Sequence, residues 1–273
     1  KSRIHKEPTH DLQAYQLYLQ GRHCFIRYTS EGLHKAIDYF EQAIARDPSY
    51  ALAHASVALA YGELGETGGL RPEETYAPAK EAVARALALD GELAEAHSTL
   101  AMLAFVCDFD WIRAEQEFQR ALQLNSSSAD TYDYYGRMLS ALGRQDEAIA
   151  AQQRARELDP LAHPMDLATA LLRAGRYDHA AEAALRSLEF DPNQARGHST
   201  LGWAYLKMGR ADEGLAELEK AVALTPGNTL WLAQLGQGYA EVNRVGEARE
   251  VLGQLQELSR TRYVSPYHMA YVY

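Results

Sequence analysis

Residues 195–228 read A-R-G-H-S-T-L-G-W-A-Y-L-K-M-G-R-A-D-E-G-L-A-E-L-E-K-A-V-A-L-T-P-G-N, a 34-residue stretch from Ala195 to Asn228. Leu201, Gly202 and Tyr205 stand in its first half, and Gly214, Leu218 and Ala221 in its second. Small residues let two helices approach closely, while the larger ones fill the space between them. Pro226 closes the stretch, because proline cannot donate the backbone hydrogen bond that a continuing helix needs. The pattern predicts two antiparallel helices joined by a tight turn at Gly209.

The same chemistry recurs outward from this stretch. Gly143, Gly175, Gly209 and Asn243 fall at one position, where a helix ends in a left-handed residue that only Gly or Asn adopts at low cost. Asp146, Asp178 and Asp212 each follow three residues after a glycine, suited to the positive end of the next helix. The spacing resembles the tetratricopeptide repeat, a helix–turn–helix unit with a 34-residue period. That resemblance implies an all-α, right-handed α-solenoid, a superhelix of about seven such repeats with a terminal capping helix.

Repeats are expected over residues 11–50, 51–93, 94–128, 129–160, 161–194, 195–228 and 229–262, as a single array over 11–273. Residues 1–10 read as a linker and 263–273 as a partial repeat. In the first repeat, Phe25 to Gly32 predicts a long turn. In the second, Gly62 to Pro78 predicts an inserted loop of about nine extra residues. The fifth is short, with Pro164 delaying its first helix, and Ser126 replaces the proline expected after the third. In the turn Cys107–Trp111, Asp110 is expected as an N-cap with Trp111 packed below it. Ser265 and Pro266 are expected to start a last helix through Tyr271.

Asp11 to Arg22 and Arg262 to Tyr267 resemble the C-terminal repeat regions of bacterial signalling proteins, fused behind adenylate-cyclase, winged-helix regulator or serine/threonine kinase modules. The resemblance implies the sensing or partner-binding part of a larger regulator. It places that regulator in the bacterial cytoplasm, or in the periplasm if a membrane span lies upstream. The start at a lysine and the stop inside a helical pattern fit a piece of a longer chain.

Composition narrows the function. Apolar residues make up 47% of the 273 and charged residues 23%, as in a folded helical protein. The net charge of −10 repels a phosphate backbone, and no Lys/Arg run offsets it, so nucleic acid is not expected as a partner. No apolar run reaches the roughly 20 residues that cross a bilayer, so no membrane contact by this segment is expected. Cys24 and Cys107 lie about two repeats apart and read as small buried hydrophobes rather than a disulfide.

Candidate chemistry reduces to packing. His54, His97 and His198 occupy one position in three repeats, which in a solenoid spreads them along the stack instead of converging them on a metal. Asp108 and Asp110 lack the rest of a calcium-loop ligand set. Asn125–Ser128 reads as an interhelical turn. No Gly-rich phosphate loop, zinc-spaced cysteine set or nucleophile–base pair is present, so a non-enzymatic module without cofactor or metal is expected.

The family resemblance implies that first helices line a concave groove. Its expected lining includes Met102, Asp130, Asp133, Tyr134, Arg137, Thr169, Arg173, Arg196, Trp203, Lys207 and Gln237. Aromatic, arginine and short polar side chains suit a peptide or partner protein of unknown identity. Tyr134, Arg137 and Trp203 are the central expectations. Asp133 and Arg137 replace the first pair of the chaperone-tail clamp of co-chaperone repeats, so heat-shock tails are not expected ligands. Two alternatives remain open. One is self-association into a homo-oligomer through apolar ends near Tyr267, Met269 and Tyr271, and the other is small-ligand sensing in the groove.

Overall fold

In a computed structural model, residues 9–26, 29–66, 70–160 and 165–273 are described. Among them the chain forms fifteen helices and no strands. These are α1 Leu12–Phe25, α2 Ser30–Arg46, α3 Ala51–Glu66, α4 Pro72–Leu89, α5 Ala94–Val106, α6 Trp111–Leu124, α7 Ala129–Ala141 and α8 Gln145–Leu158. They continue with α9 Asp166–Arg173, α10 Tyr177–Phe190, α11 Ala195–Lys207, α12 Ala211–Leu224, α13 Thr229–Glu241, α14 Val245–Ser259 and α15 Pro266–Ala270. Odd and even helices alternate as first and second members of hairpins. The chain divides into two compact units, Lys1–Thr131 and Tyr132–Tyr273, with the boundary inside α7.

Helix starts follow local chemistry. Asp11 accepts from the Gln13 and Ala14 amides, Thr29 from Gly32, Asp110 from Arg113, and Asn228 from Leu230 and Trp231. Each side chain satisfies donors that the first helical turn leaves without a backbone partner. Asp146, Asp178 and Asp212 all lie in first turns. Gly143, Gly175, Gly209 and Asn243 adopt φ of 79°, 73°, 79° and 62°, the left-handed conformation that their residue types predict. Asn125 caps the end of α6, and its Oδ1 accepts from the Ser127 amide, so this segment is a turn.

The first unit is centred on Tyr18, Leu33, Phe40, Tyr50 and Leu64. The Tyr18 ring lies 5.6 Å from Phe40 and 5.4 Å from Tyr50. In the second unit, α11 and α12 meet at glycine: a Cβ on Gly202 would stand 2.8 Å from the Gly214 carbonyl oxygen. This is the close approach that the small residues of the 195–228 stretch imply. At the end of the chain, Val264, Val272, Met269 and Tyr271 cover a core of Leu232, Ala233, Ala248, Val251 and Leu255.

Several expectations are corrected. The inserted loop at Gly62–Pro78 is mostly helix: α3 continues to Glu66, α4 starts at Pro72, and Pro78 lies inside α4. An insertion placed between antiparallel helices can lengthen both at once. Gly65 is the site where the extension packs, because a Cβ there would meet Tyr76 and Thr75. Residues 67–69, with Gly68 and Gly69, lie outside the described residues. Likewise α1 reaches Phe25 and α2 begins at Ser30, so the expected turn through Gly32 is shorter; residues 27 and 28 are not described. Pro164 and its effect on α9, and most of the expected linker at 1–10, also lie outside the described residues.

Trp111 does not pack beneath Asp110 but is 50% exposed, beside Phe109 at 70% and Ile112 at 76%. Phe109 takes the left-handed position, φ 53°, immediately before the α6 N-cap. Its conformation turns the aromatic segment outward. Cys24 and Cys107 are free and half-buried, not fully enclosed.

Candidate partner-binding face

The first helices of the second unit lie side by side and are joined by bonds that span about one repeat. Asp166 on α9 pairs with Arg196 on α11. Lys207 on α11 pairs with Glu241 on α13, 34 residues later, at 2.7 Å. Ser199 on α11 donates to Gln234 on α13. These contacts set the spacing of neighbouring first helices and so define one continuous face.

Charge on this face is concentrated. Asp166 is buried, and burial alone would lower the Arg196 pKa; the Asp166 carboxylate reverses this, and the net shift is upward. Arg137 on α7 opposes that shift and Asp133 supports it, so both act on the same cluster. Arg137 also lies 5.3 Å over the Tyr134 ring. Arg173 on α9 is exposed, and its pKa is lowered by desolvation and then by Arg196 and Arg137. Lys207 stands 5.8 Å over the half-buried Trp203 ring, which packs against the cluster of Leu206, Leu215, Leu218 and Leu235. Thr169 and Gln237 are half-buried, although the Thr169 hydroxyl donates to the Met165 carbonyl at 3.0 Å and closes on its own helix.

Three of the expected surface positions are buried. Tyr134 is 3% exposed, Asp133 1% and Met102 2%. Met102 fills the space over Gly62 on α3, and the Asp133 carbonyl accepts from Gln152 Nε2 at 3.0 Å. Met102 is covered by α3 of the preceding repeat, which a single repeat does not reveal, and Asp133 lies against α8 of its own hairpin. Met102 and Asp130 belong to the first unit, where Asp130 stands 3.8 Å from Arg22. The other expected residues belong to the second. Sequence reading gave less weight to Asp166 and missed Glu241. The available signal is opposite charges on first helices about one repeat apart.

The histidines are structural links. His97 Nδ1 lies 2.6 Å from Glu117 and Nε2 3.1 Å from the Gly91 carbonyl. His198 repeats this with Glu217 at 2.6 Å and the Pro192 carbonyl at 2.9 Å, while His54 reaches the Pro48 carbonyl. Each ties its first helix to the preceding turn. Burial raises the Glu217 pKa, but bonds from Lys220 and His198 outweigh it and hold the carboxyl below its ordinary range. A second repeated device went unread. Arg144, Arg210 and Arg244 follow the turn residues and pair with Glu147, Glu213 and Glu247, and Arg210 and Arg244 also cover Tyr205 and Tyr239. Among the described residues no cluster of metal-binding side chains forms, and no helix is long and apolar enough to cross a membrane.

These paired helices, glycine contacts and repeated turns define a helical-repeat protein that presents a face of first helices. Family models of the tetratricopeptide repeat match residues 129–160, 165–229 and 199–262. Residues 129–160 and 165–262 are tetratricopeptide repeats. It is 26% identical over 149 residues to the transcriptional regulator HilA of Salmonella typhimurium, covering 55% of this chain and 27% of HilA. It is 34% identical over 102 residues to the Hsp70-Hsp90 organizing protein of Triticum aestivum, covering 37% and 18%. The chain therefore spans about a quarter or less of these relatives. A solved tetratricopeptide repeat protein from Parabacteroides merdae superposes with a TM-score of 0.61 at 13% identity, covering 96% of this chain and 98% of that one. Proteins of this family generally mediate protein–protein interactions.

Proposed function

We propose that the first-helix face of Tyr132–Tyr273 binds a segment of a partner protein, as the non-catalytic regulatory part of a larger bacterial protein. The observation that carries this reading is the face itself. Bonds between repeats hold α9, α11 and α13 in register, while Arg173, Trp203 and Lys207 remain reachable by solvent. A preorganised face costs little ordering entropy on binding, and an aromatic ring beside cations supplies contact area and charge together. Similarity to a transcriptional regulator supports the regulatory part of the reading. The test is affinity capture from a lysate of the source organism with the native chain and with Trp203→Ala/Lys207→Glu/Gln237→Ala. A partner lost only with the variant, at unchanged helical circular dichroism, supports the reading; identical captures refute it.

One observation favours self-association as a second reading. Leu12, Tyr15 and Leu19 form an exposed stripe on α1, 69%, 39% and 47% exposed, at helical spacing. Mass that rises with concentration in light scattering, and stays monomeric in Leu12→Glu/Leu19→Glu, would support it.

A further inference from the structure

The α5–α6 turn breaks a rule that the hairpins of the second unit keep. In those hairpins the left-handed residue is Gly143, Gly175, Gly209 or Asn243, and the second residue of the following helix is Asp146, Asp178, Asp212 or Gly246. At the same two places the α5–α6 turn carries Phe109, with φ 53°, and Ile112, and Trp111 is the first residue of α6. All three side chains are exposed. A left-handed phenylalanine bears backbone strain that glycine would not, and no burial of this ring offsets it. Strain held without burial marks a surface kept for contact.

The turn is built rigidly. The Cys107 amide donates to the Leu103 carbonyl at 2.9 Å, and the Asp110 amide to the Ala104 carbonyl at 3.0 Å. The Asp110 carboxylate accepts from the Arg113 amide at 3.0 Å, and Lys80 on α4 forms an ion pair with Asp108. These bonds fix the apolar side chains' backbone to α4, α5 and α6, so contact with a partner costs little ordering entropy. The patch belongs to Lys1–Thr131 and is independent of the partner-binding reading of Tyr132–Tyr273.

Charge decides what can cover it. Asp108 and Asp110 flank Phe109, while Glu115 follows Ile112 by three residues and Trp111 by four, spacings that share a helix face. Across residues 94–128, five carboxylates stand against two arginines. A second copy of the patch would bring like charges together, and an anionic lipid surface would be repelled. Apolar side chains flanked by lysine or arginine answer both features. We propose that Phe109, Trp111 and Ile112 dock a basic amphipathic helix of a partner protein. Its apolar face covers the three side chains, and its cations lie beside Asp108, Asp110 and Glu115.

The test is fluorescence anisotropy of a labelled amphipathic helical peptide of leucine and lysine with the full chain, at low and at moderate salt. The same peptide with glutamate in place of lysine is the charge control. The leucine–lysine peptide should bind, more weakly as salt rises, and the leucine–glutamate peptide at least about tenfold more weakly still. Trp111→Ser/Ile112→Ser should lose at least about tenfold in affinity. Phe190→Ser, which removes another exposed apolar side chain at the end of α10, should bind as the native chain does. Asp108→Asn/Asp110→Asn keeps a capping side chain on α6 and should lose more affinity at low salt than at moderate salt. Melting by circular dichroism verifies that each variant is folded. Equal binding by native and Trp111→Ser/Ile112→Ser chains overturns the proposal, as does no binding of the leucine–lysine peptide at low salt. Equal binding of the two peptides overturns the assignment to a basic partner. Mass that rises with concentration in light scattering, or sedimentation with phosphatidylglycerol vesicles, overturns it too if Trp111→Ser/Ile112→Ser abolishes the effect, because the patch then serves a second copy or a membrane.

Discussion

The two compact units build the same paired helices with different turns. In Tyr132–Tyr273, four hairpins turn on Gly143, Gly175, Gly209 and Asn243, all left-handed. In Lys1–Thr131, α3 and α4 grow to 16 and 18 residues, and the α5–α6 turn gives the left-handed position to an exposed phenylalanine. The family models match from residue 129 onward, where the glycine turns are. The hairpin fold thus depends on helix-face packing, while its recognisable signature depends on turn chemistry. A unit can lose the second and keep the first.

The largest effect should come from the packing that both units share. In Gly202→Val the new side chain meets the Gly214 backbone carbonyl and Leu218, neither of which can move without separating α11 from α12. A loss of about 3 kcal/mol or more is expected in denaturant unfolding. A loss well under 1 kcal/mol would show that these helices are not held at glycine contact.

Turn chemistry should give smaller and opposite effects in the two units. Gly209→Ala places a Cβ in open space, so only the left-handed backbone is penalised, at about 1–2 kcal/mol. Phe109→Gly removes that same penalty and gives up an exposed ring, so the chain should gain up to about 1 kcal/mol. Thermal melts of the two variants should move in opposite directions. If Phe109→Gly destabilises, its ring makes a contact that outweighs the backbone cost.

The smallest expected effect concerns pH at the end of the second unit. His268 is buried with Nδ1 2.9 Å from the Thr229 hydroxyl, and burial lowers its pKa from the ordinary 6.5. As pH falls below 6.5 the unfolded chain takes up this proton before the folded chain does, so stability declines through that window. The slope is at most about 1.4 kcal/mol per pH unit for one histidine. His268→Gln should flatten the fall in melting temperature over this range; an unchanged slope would assign the sensitivity to other groups.

Much of the fold was legible because left-handed turns and caps are local chemistry. Gly209 and Asp212 announce a turn and a helix start without knowledge of any neighbour, whereas His97 and His198 read only as packing at one repeat position and their bonds to Glu117 and Glu217 show in the structure alone. The face was only partly legible. Arg173, Trp203 and Lys207 are reachable by solvent, but Tyr134, Asp133 and Met102 are buried, Met102 by α3 of the preceding repeat. The Gly62–Pro78 segment misled for a related reason: glycine and proline suggest a loop, yet the flanking helices absorb most of it. Trp111 misled because the backbone at Phe109 turns outward, a conformation that phenylalanine rarely signals.

The central claim is that partners bind the first-helix face of the second unit. Hydroxyl-radical footprinting of the chain with and without its captured partner tests it directly, because labelling reads side-chain exposure. Trp203 and the 63%-exposed Tyr267 should lose reactivity in the complex, while Phe190, 81% exposed at the end of the second helix α10, should keep it. Protection of Phe190 with Trp203 and Tyr267 unchanged would place the partner on the opposite helices and contradict the account.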